Sequence, residues 1–178
     1  MNRVCSMFEV NLGWVGLVGN EKGVERIYLP GLKKQELGER IREEFPDSVE
    51  TDSFLTDARK ELTEYFEGRR SKFGMALDLS RATPFQRAAY RIMSEIRFGE
   101  VHSYRWLAEK MGNRAAVRAA GSANARNRWP VVIPCHRIVA SDGRLTGFSA
   151  PGGLELKARL LALEGVPVRN GKVATQLD

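Results

Sequence analysis

The clearest chemical signal in the sequence is a run of nine residues, Val131-Val132-Ile133-Pro134-Cys135-His136-Arg137-Ile138-Val139. Polar residues interrupt an apolar stretch there, and a cysteine directly precedes a histidine. Pro134 has no backbone N–H to donate, so we expect the extended segment Trp129–Val139 to stop pairing at Pro134 and to present Cys135 at the end of a strand. An isolated cysteine is more often a small buried apolar residue than a reactive group. The surroundings of Cys135 therefore decide its role.

Those surroundings favour a reactive thiol. A free cysteine has a pKa of about 8.5, so little of it is ionised at neutral pH. A neighbouring base such as His136, or nearby positive charge, raises the thiolate fraction. The segment therefore predicts a nucleophilic cysteine.

The whole chain has a formal net charge of +6, and its positive charge is concentrated in the second half. Residues 1–81 contain 13 Lys and Arg against 15 Asp and Glu, whereas residues 82–178 contain 15 against 7. Between positions 105 and 144 eight basic residues, seven of them Arg, stand against two acidic ones. Arg binds phosphates and base edges bidentately, so this concentration favours a nucleic-acid partner over a merely solvated basic surface.

Composition argues against several other classes of protein. The 178 residues can form one sizeable core or two small ones. No run reaches the eighteen or so apolar residues that span a bilayer, and no apolar signal segment follows Met1, so we expect a cytoplasmic protein without a membrane partner. Cys5 and Cys135 do not suggest a disulfide framework, and Cys5 is interpreted as a bystander. With only two histidines we expect no metal site.

The first half has the pattern of a small α+β unit, with a boundary near Ser80–Ala82. The predicted elements are strands within Ser6–Val18 and Val24–Leu29, helices over Lys33–Phe45 and Phe54–Phe66, and a short strand over Met75–Leu79. Gly-bearing turns such as Asn20–Gly23 separate the strands and indicate a hairpin or meander.

The second half has the pattern of a mainly helical unit. The predicted helices run from Pro84 to about Arg97 and over Tyr104–Met111, Arg114–Asn124 and Leu154–Leu163. Thr83-Pro84-Phe85-Gln86 is a capping box with Pro at the first helical position, and Ser103 is expected to cap the second helix. The turn Gly112-Asn113 joins the second and third helices into a candidate helix-turn-helix.

The third of these helices is built almost entirely from small residues. A helix that recognises bases in the major groove carries long polar side chains. Small residues instead allow the close approach that suits the minor groove, which is roughly 6 Å wide and carries little sequence information. Tight packing against a neighbouring helix would explain the same residues, and the sequence leaves that alternative open.

Ile-Pro-Cys-His-Arg-Ile-Val at positions 133–139 resembles the active-site signature of the O6-alkylguanine-DNA alkyltransferases, or methylated-DNA–protein-cysteine methyltransferases. The resemblance covers Thr83–Gly165 and includes Thr-Pro-Phe-Gln, Ser103-Tyr104, Arg118-Ala119-Ala120-Gly121, Asn127, Gly147-Phe148-Ser149 and Leu163-Glu164-Gly165. It implies an α+β fold. Residues 1–80 would form a small ribonuclease-H-like α/β domain, and residues 81–178 a mainly helical domain with a winged-helix-like helix-turn-helix.

The resemblance also implies roles for five catalytic residues. Cys135 would accept the alkyl group, and His136 would be its base. Because adjacent side chains in an extended segment point apart, His136 is expected to act through a water. Glu164 would orient the imidazole, and Asn127 would stabilise the turn between the recognition helix and the active-site segment. Tyr104 would hydrogen-bond guanine N3 and help to rotate the nucleotide out.

The remaining implied site residues contact DNA or the extruded base. The DNA-binding residues would be Tyr104, Arg114, Arg118, Ala119, Gly121 and Ser122, with Arg118 entering the duplex in place of the guanine. The substrate pocket would be formed by Ile138, Phe148 and Ser149, with the backbone carbonyl of Cys135.

The implied function is repair by direct reversal. A methyl or larger alkyl group would pass once, irreversibly, from O6 of guanine, and also from O4 of thymine, to Cys135 after the nucleotide is flipped out of the duplex. The partner would be double-stranded DNA containing O6-alkylguanine, and no cofactor would be needed. We expect a monomer, and the sequence leaves cooperative assembly on DNA open.

Some residues depart from the family pattern. Phe148 replaces a common Tyr, Ala150-Pro151 lengthen the next loop, and Ser122 and Asn124 replace residues that are often Gly and Met. Three alternatives remain. A helix-turn-helix regulator would not need Pro-Cys-His-Arg, a lesion sensor without transfer activity typically lacks the cysteine, and a cysteine hydrolase would not need the basic helices.

Overall fold

The computed structural model of the protein describes residues 3–51 and 55–174. The chain divides into two compact units. The first runs to Arg81 and includes Ala150–Gly152, whereas the second takes Ala82–Ser149 and the residues from Gly153 onward. A sheet dominates the first unit and helices dominate the second, as the α+β interpretation predicted.

The first unit is built on a four-stranded sheet. Its strands are β1 (Arg3–Val10), β2 (Gly13–Asn20), β3 (Gly23–Tyr28) and β4 (Ser48–Glu50). The order across the sheet is β3-β2-β1-β4, with β4 parallel to β1 and the other pairs antiparallel. The predicted meander is confirmed, but the short parallel strand β4 was not predicted.

Helices α1 (Lys34–Glu44) and α2 (Thr56–Phe66) complete this unit. The side chains of α1 pack with Cys5 and Val18 in one apolar cluster, so α1 covers one face of the sheet. Arg59 of α2 lies over the ring of Phe8, whose side chain points to the other face. Phe54, which we placed in the second helix, lies outside the described residues.

The prediction of a strand over Met75–Leu79 is wrong. Only Leu77 pairs with the sheet, as an isolated parallel bridge to Val24. The carboxylate of Asp78 then accepts a hydrogen bond from the amide of Ser80, and the chain turns into a 3₁₀ turn at Leu79–Arg81. A side chain that bonds its own backbone competes with further strand pairing.

The second unit contains four helices, α3 (Pro84–Ser94), α4 (Tyr104–Lys110), α5 (Val117–Ala125) and α6 (Gly153–Leu163). The predicted capping box is present, because Thr83 Oγ1 accepts from the Gln86 amide and Gln86 Oε1 accepts from the Thr83 amide. Ser103 caps α4 through the amide of Trp106. Helix α3 ends about three residues before Arg97, where the amides of Glu95 and Ile96 bond the last carbonyls in tighter turns.

The helix predicted over Arg114–Asn124 begins later, at Val117. Asn113 Oδ1 accepts a hydrogen bond from the Ala115 amide, and Asn113 O accepts one from Ala116. These bonds hold the chain in a turn that places Arg114 outside the helix. Helices α4 and α5 pack against each other as a helix-turn-helix.

The strand that we expected to end at Pro134 and to present Cys135 is not formed. The chain turns at Pro130–Ile133, where the Ile133 amide bonds Trp129 O and Val131 takes a left-handed backbone with φ of 75°. Cys135 begins a 3₁₀ turn, Cys135–Arg137, and the two-residue strand β6 (Ile138–Val139) follows it, parallel to β5 (His102–Ser103). Cys135 therefore lies before a strand rather than at the end of one.

A final hairpin, β7 (Val168–Arg169) and β8 (Lys172–Val173), was not predicted. Its turn residues Asn170 and Gly171 have φ of 50° and 71°. Positive φ at both positions is the geometry that Asn-Gly favours in two-residue hairpins. Across residues 3–51 and 55–174, none of the helices has the length and apolar character needed to cross a membrane.

Candidate active site

Cys135 is buried, with 5% of its surface exposed. Its thiol hydrogen-bonds the Asn127 side chain and lies within electrostatic range of Lys157. Burial raises the pKa of the Cys135 thiol, and the Asn127 hydrogen bond and the Lys157 charge oppose that shift without cancelling it. The positive charge that acts on the thiol comes from a lysine rather than from the arginines that are concentrated in this half of the chain.

Asn127 lies between the end of α5 and the segment that contains Cys135. Its Nδ2 donates to Ile133 O over 2.7 Å, and its Oδ1 accepts from the Trp129 amide over 3.0 Å. Both bonds are buried, so they hold the turn that precedes Cys135. This is the position that the sequence assigned to Asn127.

His136 is fully buried and pairs with Glu164 across 2.7 Å between Nε2 and Oε1. A carboxylate can only accept, so Nε2 carries the proton and Nδ1 keeps a lone pair. Within the described part of the chain, Nδ1 has no hydrogen-bond partner. Burial lowers the pKa of His136, and the Glu164 hydrogen bond only partly opposes this. The imidazole is therefore neutral and able to accept a proton.

Arg137 completes this buried group. Its Nε and Nη2 donate to the two oxygens of Glu164 over 2.7 and 2.9 Å, and its Nη1 donates to Ile96 O over 2.6 Å. Burial alone would raise the pKa of Glu164, but His136 and Arg137 outweigh it and hold that pKa well below its ordinary value. Glu164 is thus an ionised carboxylate that accepts hydrogen bonds from both His136 and Arg137. The sequence alone did not indicate a role for Arg137.

Lys157 is a second residue that sequence reasoning missed. It lies on α6, is fully buried, and donates to Ile138 O over 2.6 Å and to Thr146 O over 2.7 Å. Burial lowers the pKa of Lys157 to about 8, although the Cys135 charge acts in the opposite direction. Its signal was a lysine among the apolar positions Leu156, Leu160 and Leu161 of one helix.

Tyr104 is the first residue of α4 and is half-buried. Its hydroxyl donates to Thr146 O over 3.2 Å, and the Asn124 side chain also hydrogen-bonds the phenol. Burial raises the pKa of Tyr104, and the charge of Cys135 contributes in the same direction, so the phenol and the thiol lie within electrostatic range. The structure thereby brings Tyr104 and Cys135 into one site.

The residues expected to contact DNA lie on and before α5. Arg118, Ala119 and Ser122 are exposed, and Gly121 is half-buried beside Tyr104. Among the described residues Arg118 has no ion pair. Arg114 precedes the helix and pairs with Glu109 at 2.9 Å. Asn124, a departure from the family pattern, is buried and faces the protein interior.

The expected pocket residues follow Cys135 in the chain. Ile138 is buried in β6, and its carbonyl already accepts from Lys157. Phe148 is half-buried, and Ser149 is exposed with its hydroxyl donating to Ala125 O over 2.9 Å. The Cα of Gly147 lies so close to Tyr104 that an added Cβ would be 2.6 Å from the phenol oxygen.

Comparison with known proteins assigns both halves to one family. The chain matches the 6-O-methylguanine DNA methyltransferase DNA-binding domain over residues 84–166 and the ribonuclease-like domain of the same family over residues 4–79. The chain belongs to this family. The match of residues 4–79 also confirms the ribonuclease-like first half, for which the sequence offered only a weak pattern.

Relatives and solved structures agree with the family assignment. A methylated-DNA–protein-cysteine methyltransferase of Methanosarcina acetivorans is 36% identical over 90% of this chain and 97% of its own. The constitutive enzyme of that name from Bacillus subtilis is 40% identical over 63% of this chain and 67% of its own. The O6-methylguanine methyltransferase of Mycobacterium tuberculosis has a TM-score of 0.77 at 27% identity, over 94% of this chain and 96% of its own.

In this member of the 6-O-methylguanine DNA methyltransferase family, the site can supply three chemical functions. Cys135 offers a sulfur nucleophile, the neutral His136 offers a base, and Tyr104 offers a hydrogen-bond donor. Lys157 and Asn127 place a positive charge and a donor beside the sulfur. These are the groups needed to attack an electrophilic carbon while a hydrogen bond stabilises its leaving group.

Proposed function

We propose that the protein repairs alkylated DNA by moving a methyl or larger alkyl group from O6 of guanine to Sγ of Cys135. The observation that carries the proposal is the buried thiol hydrogen-bonded to Asn127, beside Lys157 and next in sequence to a neutral imidazole held by Glu164. The family assignment of the surrounding domain supports it, as do relatives named methylated-DNA–protein-cysteine methyltransferases.

The chemical step forms one bond and breaks one. The thiol proton passes through a water to Nδ1 of His136, and the thiolate attacks the alkyl carbon in line with the carbon–O6 bond. That bond breaks with its electron pair on guanine, and the leaving base is stabilised by a hydrogen bond that the Tyr104 hydroxyl donates to N3. The base takes a proton from solvent as it leaves, and His136 returns the thiol proton to solvent. A thioether has no easy route to hydrolysis, so each molecule reacts once and needs no cofactor.

The base must leave the duplex before this reaction can occur, because a stacked base keeps its substituent away from a buried sulfur. The exposed small residues of α5 suit the minor groove, and Arg118, which is exposed on the same helix, would fill the space that the extruded guanine leaves. A Mycobacterium tuberculosis homologue, 28% identical with a TM-score of 0.77 over 90% of this chain and 91% of its own, has been solved in complex with DNA, which supports a duplex substrate.

Substrate range and setting follow from the same residues. Phe148 puts an apolar ring without a hydroxyl at the pocket, which suits alkyl groups larger than methyl, and O4-alkylthymine offers the same kind of electrophilic carbon. The Cys135 carbonyl, the Ile138 carbonyl and the Ser149 amide would recognise the base edge. A monomer in the reducing cytoplasm would keep the two free cysteines reduced.

Intact-mass spectrometry after incubation with duplex DNA containing one O6-methylguanine tests the proposal. We expect the mass of one methyl group per molecule on the peptide that contains Cys135, and none in Cys135→Ala. A protein that binds the lesion but gains no mass would be a sensor or regulator, and that result would overturn the proposal.

A further inference from the structure

Three basic residues lie side by side where the hairpin β7–β8 pairs with the segment around Arg144. Lys172 of β8 is directly opposite Arg169 of β7, and on its other side it pairs with Arg144 through an isolated antiparallel bridge. Side chains of directly opposite residues point to the same face of a sheet. Arg144, Lys172 and Arg169 therefore form a single row, which we call the basic row.

Backbone hydrogen bonds join the segments that carry the basic row. The Leu145 amide donates to Gly171 O over 2.8 Å, and the Val173 amide donates to Gly143 O over 3.0 Å. Leu145 and Val173 are buried in an apolar cluster on the opposite face, with Val168 packed against it. The alternation leaves the three basic residues exposed on the outer face.

The arrangement is electrostatically unfavourable in the isolated protein. Like charges directly opposite each other on a sheet are destabilising, and the basic row contains two such pairs. Asp142 forms a 2.6 Å ion pair with Arg144, in which both side chains are about half exposed or more. Within residues 3–51 and 55–174, neither Arg169 nor Lys172 has a carboxylate within ion-pair distance, although Asp142 acts on Lys172 at longer range. An external anion would relieve this repulsion.

We propose that the basic row binds the phosphate backbone of the duplex, as a contact separate from that of helix α5. Adjacent strands lie about 5 Å apart, so the row extends over about 10 Å. One strand of DNA carries a phosphate for each 3.4 Å or so of helix axis, and a row of this length meets more than one phosphate. Such contacts fix orientation without recognising sequence, as a repair protein that inspects any sequence requires.

This inference rests on the proposed function, and its test separates the two. The variant is Arg169→Gln with Lys172→Gln, which removes two charges at exposed positions. The matched control is Arg91→Gln with Arg159→Gln, which removes two charges from exposed positions on α3 and α6. Binding to a duplex with one O6-methylguanine is measured by fluorescence anisotropy between 50 and 200 mM salt, with Cys135→Ser in every protein to prevent transfer.

We expect the plot of log affinity against log salt to become less steep in the row variant, by about 1 to 2. Each lost phosphate contact reduces the magnitude of this slope by about 0.9. The affinity of the row variant should fall several-fold while the control stays near the parent protein. Hydroxyl-radical footprinting should show backbone positions that lose protection in the row variant only. With Cys135 restored, its rate with free O6-benzylguanine should be unchanged.

A row variant whose slope, affinity and footprint match the control overturns the inference. Failure of the protein with its native sequence to gain a methyl group from duplex DNA would overturn the proposed function, whatever the binding results for the row variant. The charge-conserving exchange Arg169→Lys with Lys172→Arg should restore binding, which separates loss of charge from damage to the hairpin.

Discussion

Glu164 illustrates how one side chain can combine a chemical and a structural role. Its two oxygens bind the imidazole of His136 and the guanidinium of Arg137, and all three residues are buried. A buried ion pair is costly to disrupt on one side only, because the remaining charge keeps no partner. The orientation of the proposed base and the stability of the second unit therefore depend on the same carboxylate.

Glu164→Gln is expected to lower the free energy of unfolding by about 3–5 kcal/mol, since it leaves the Arg137 charge buried and unpaired. Urea unfolding measures this loss. The double variant Glu164→Gln with Arg137→Met should recover part of the stability, because it removes the unpaired charge as well. A loss below about 1 kcal/mol in the single variant would contradict the ion-pair account.

Arg118→Ala tests the residue proposed to replace the extruded guanine. Arg118 is exposed on α5, so its removal should change the free energy of unfolding by less than about 0.5 kcal/mol. Transfer from duplex DNA should slow by about tenfold or more, because holding a base out of the stack costs a few kcal/mol. The rate with free O6-benzylguanine should remain, and Arg91→Ala is the control. Equal losses on both substrates would exclude this role for Arg118.

At the scale of elements, local sequence signals predicted the helices better than the active-site segment. The capping box at Thr83 and the cap at Ser103 are side-chain bonds to nearby amides, so short-range sequence was enough to locate them. The turn before Cys135 depends on Asn127 bonding Ile133 O, a contact that no periodicity reveals. Strand β4 pairs with distant β1, which a three-residue stretch cannot announce by itself.

The residues of the candidate site likewise fall into those that the sequence indicated and those that only the fold revealed. The family signature identified Cys135, His136 and Glu164, whereas Lys157 and Arg137 required the fold, because lysines and arginines are usually exposed. The hairpin β7–β8 is different, because Asn170-Gly171 between alternating residues is a local signal for a two-residue hairpin. What sequence could not supply was therefore mainly long-range pairing of buried polar groups.

The loop that contains Gly147 can be tested as an element. Gly147→Ala places a Cβ 2.6 Å from the Tyr104 hydroxyl, in addition to the strain of a φ of 59°. Gly153→Ala is a matched control, because its φ is 56° and nothing lies within 4 Å of its added Cβ. Both should lose about 1 kcal/mol of stability from backbone strain. Only Gly147→Ala should also slow transfer from duplex DNA, and equal rates would show that the position of Tyr104 does not matter.

For the whole molecule, charge is separated along the chain. The second half carries the excess of basic residues, together with the exposed face of α5 and the basic row, whereas the first half is slightly acidic. One buried lysine, Lys157, is an exception to the general exposure of that positive charge. Its protonation couples the stability of the protein to pH.

The direction of this coupling follows from the two pKa values of Lys157, about 8 in the folded protein and 10.5 as the ordinary value. Between these pH values the unfolded chain holds a proton that the folded protein has released, so stability rises with pH. The effect of Cys135 on stability has the opposite sign, because folding raises the pKa of its thiol. The contribution of this thiol to the free energy of unfolding therefore decreases as pH rises. The measurement therefore belongs in the Cys135→Ala protein, where only the lysine contribution remains.

We expect the free energy of unfolding of Cys135→Ala to rise between pH 8 and 10.5, relative to Cys135→Ala with Lys157→Met, by up to about 3 kcal/mol. Removing the thiolate also removes the charge that raises the Lys157 pKa, so the rise should begin slightly below pH 8. Urea unfolding at half-unit pH intervals measures both proteins, and the titration of other groups cancels in the difference. Parallel curves from pH 7 to 10.5 would mean that Lys157 keeps its ordinary pKa in the folded protein, and would contradict the effect of burial on this lysine.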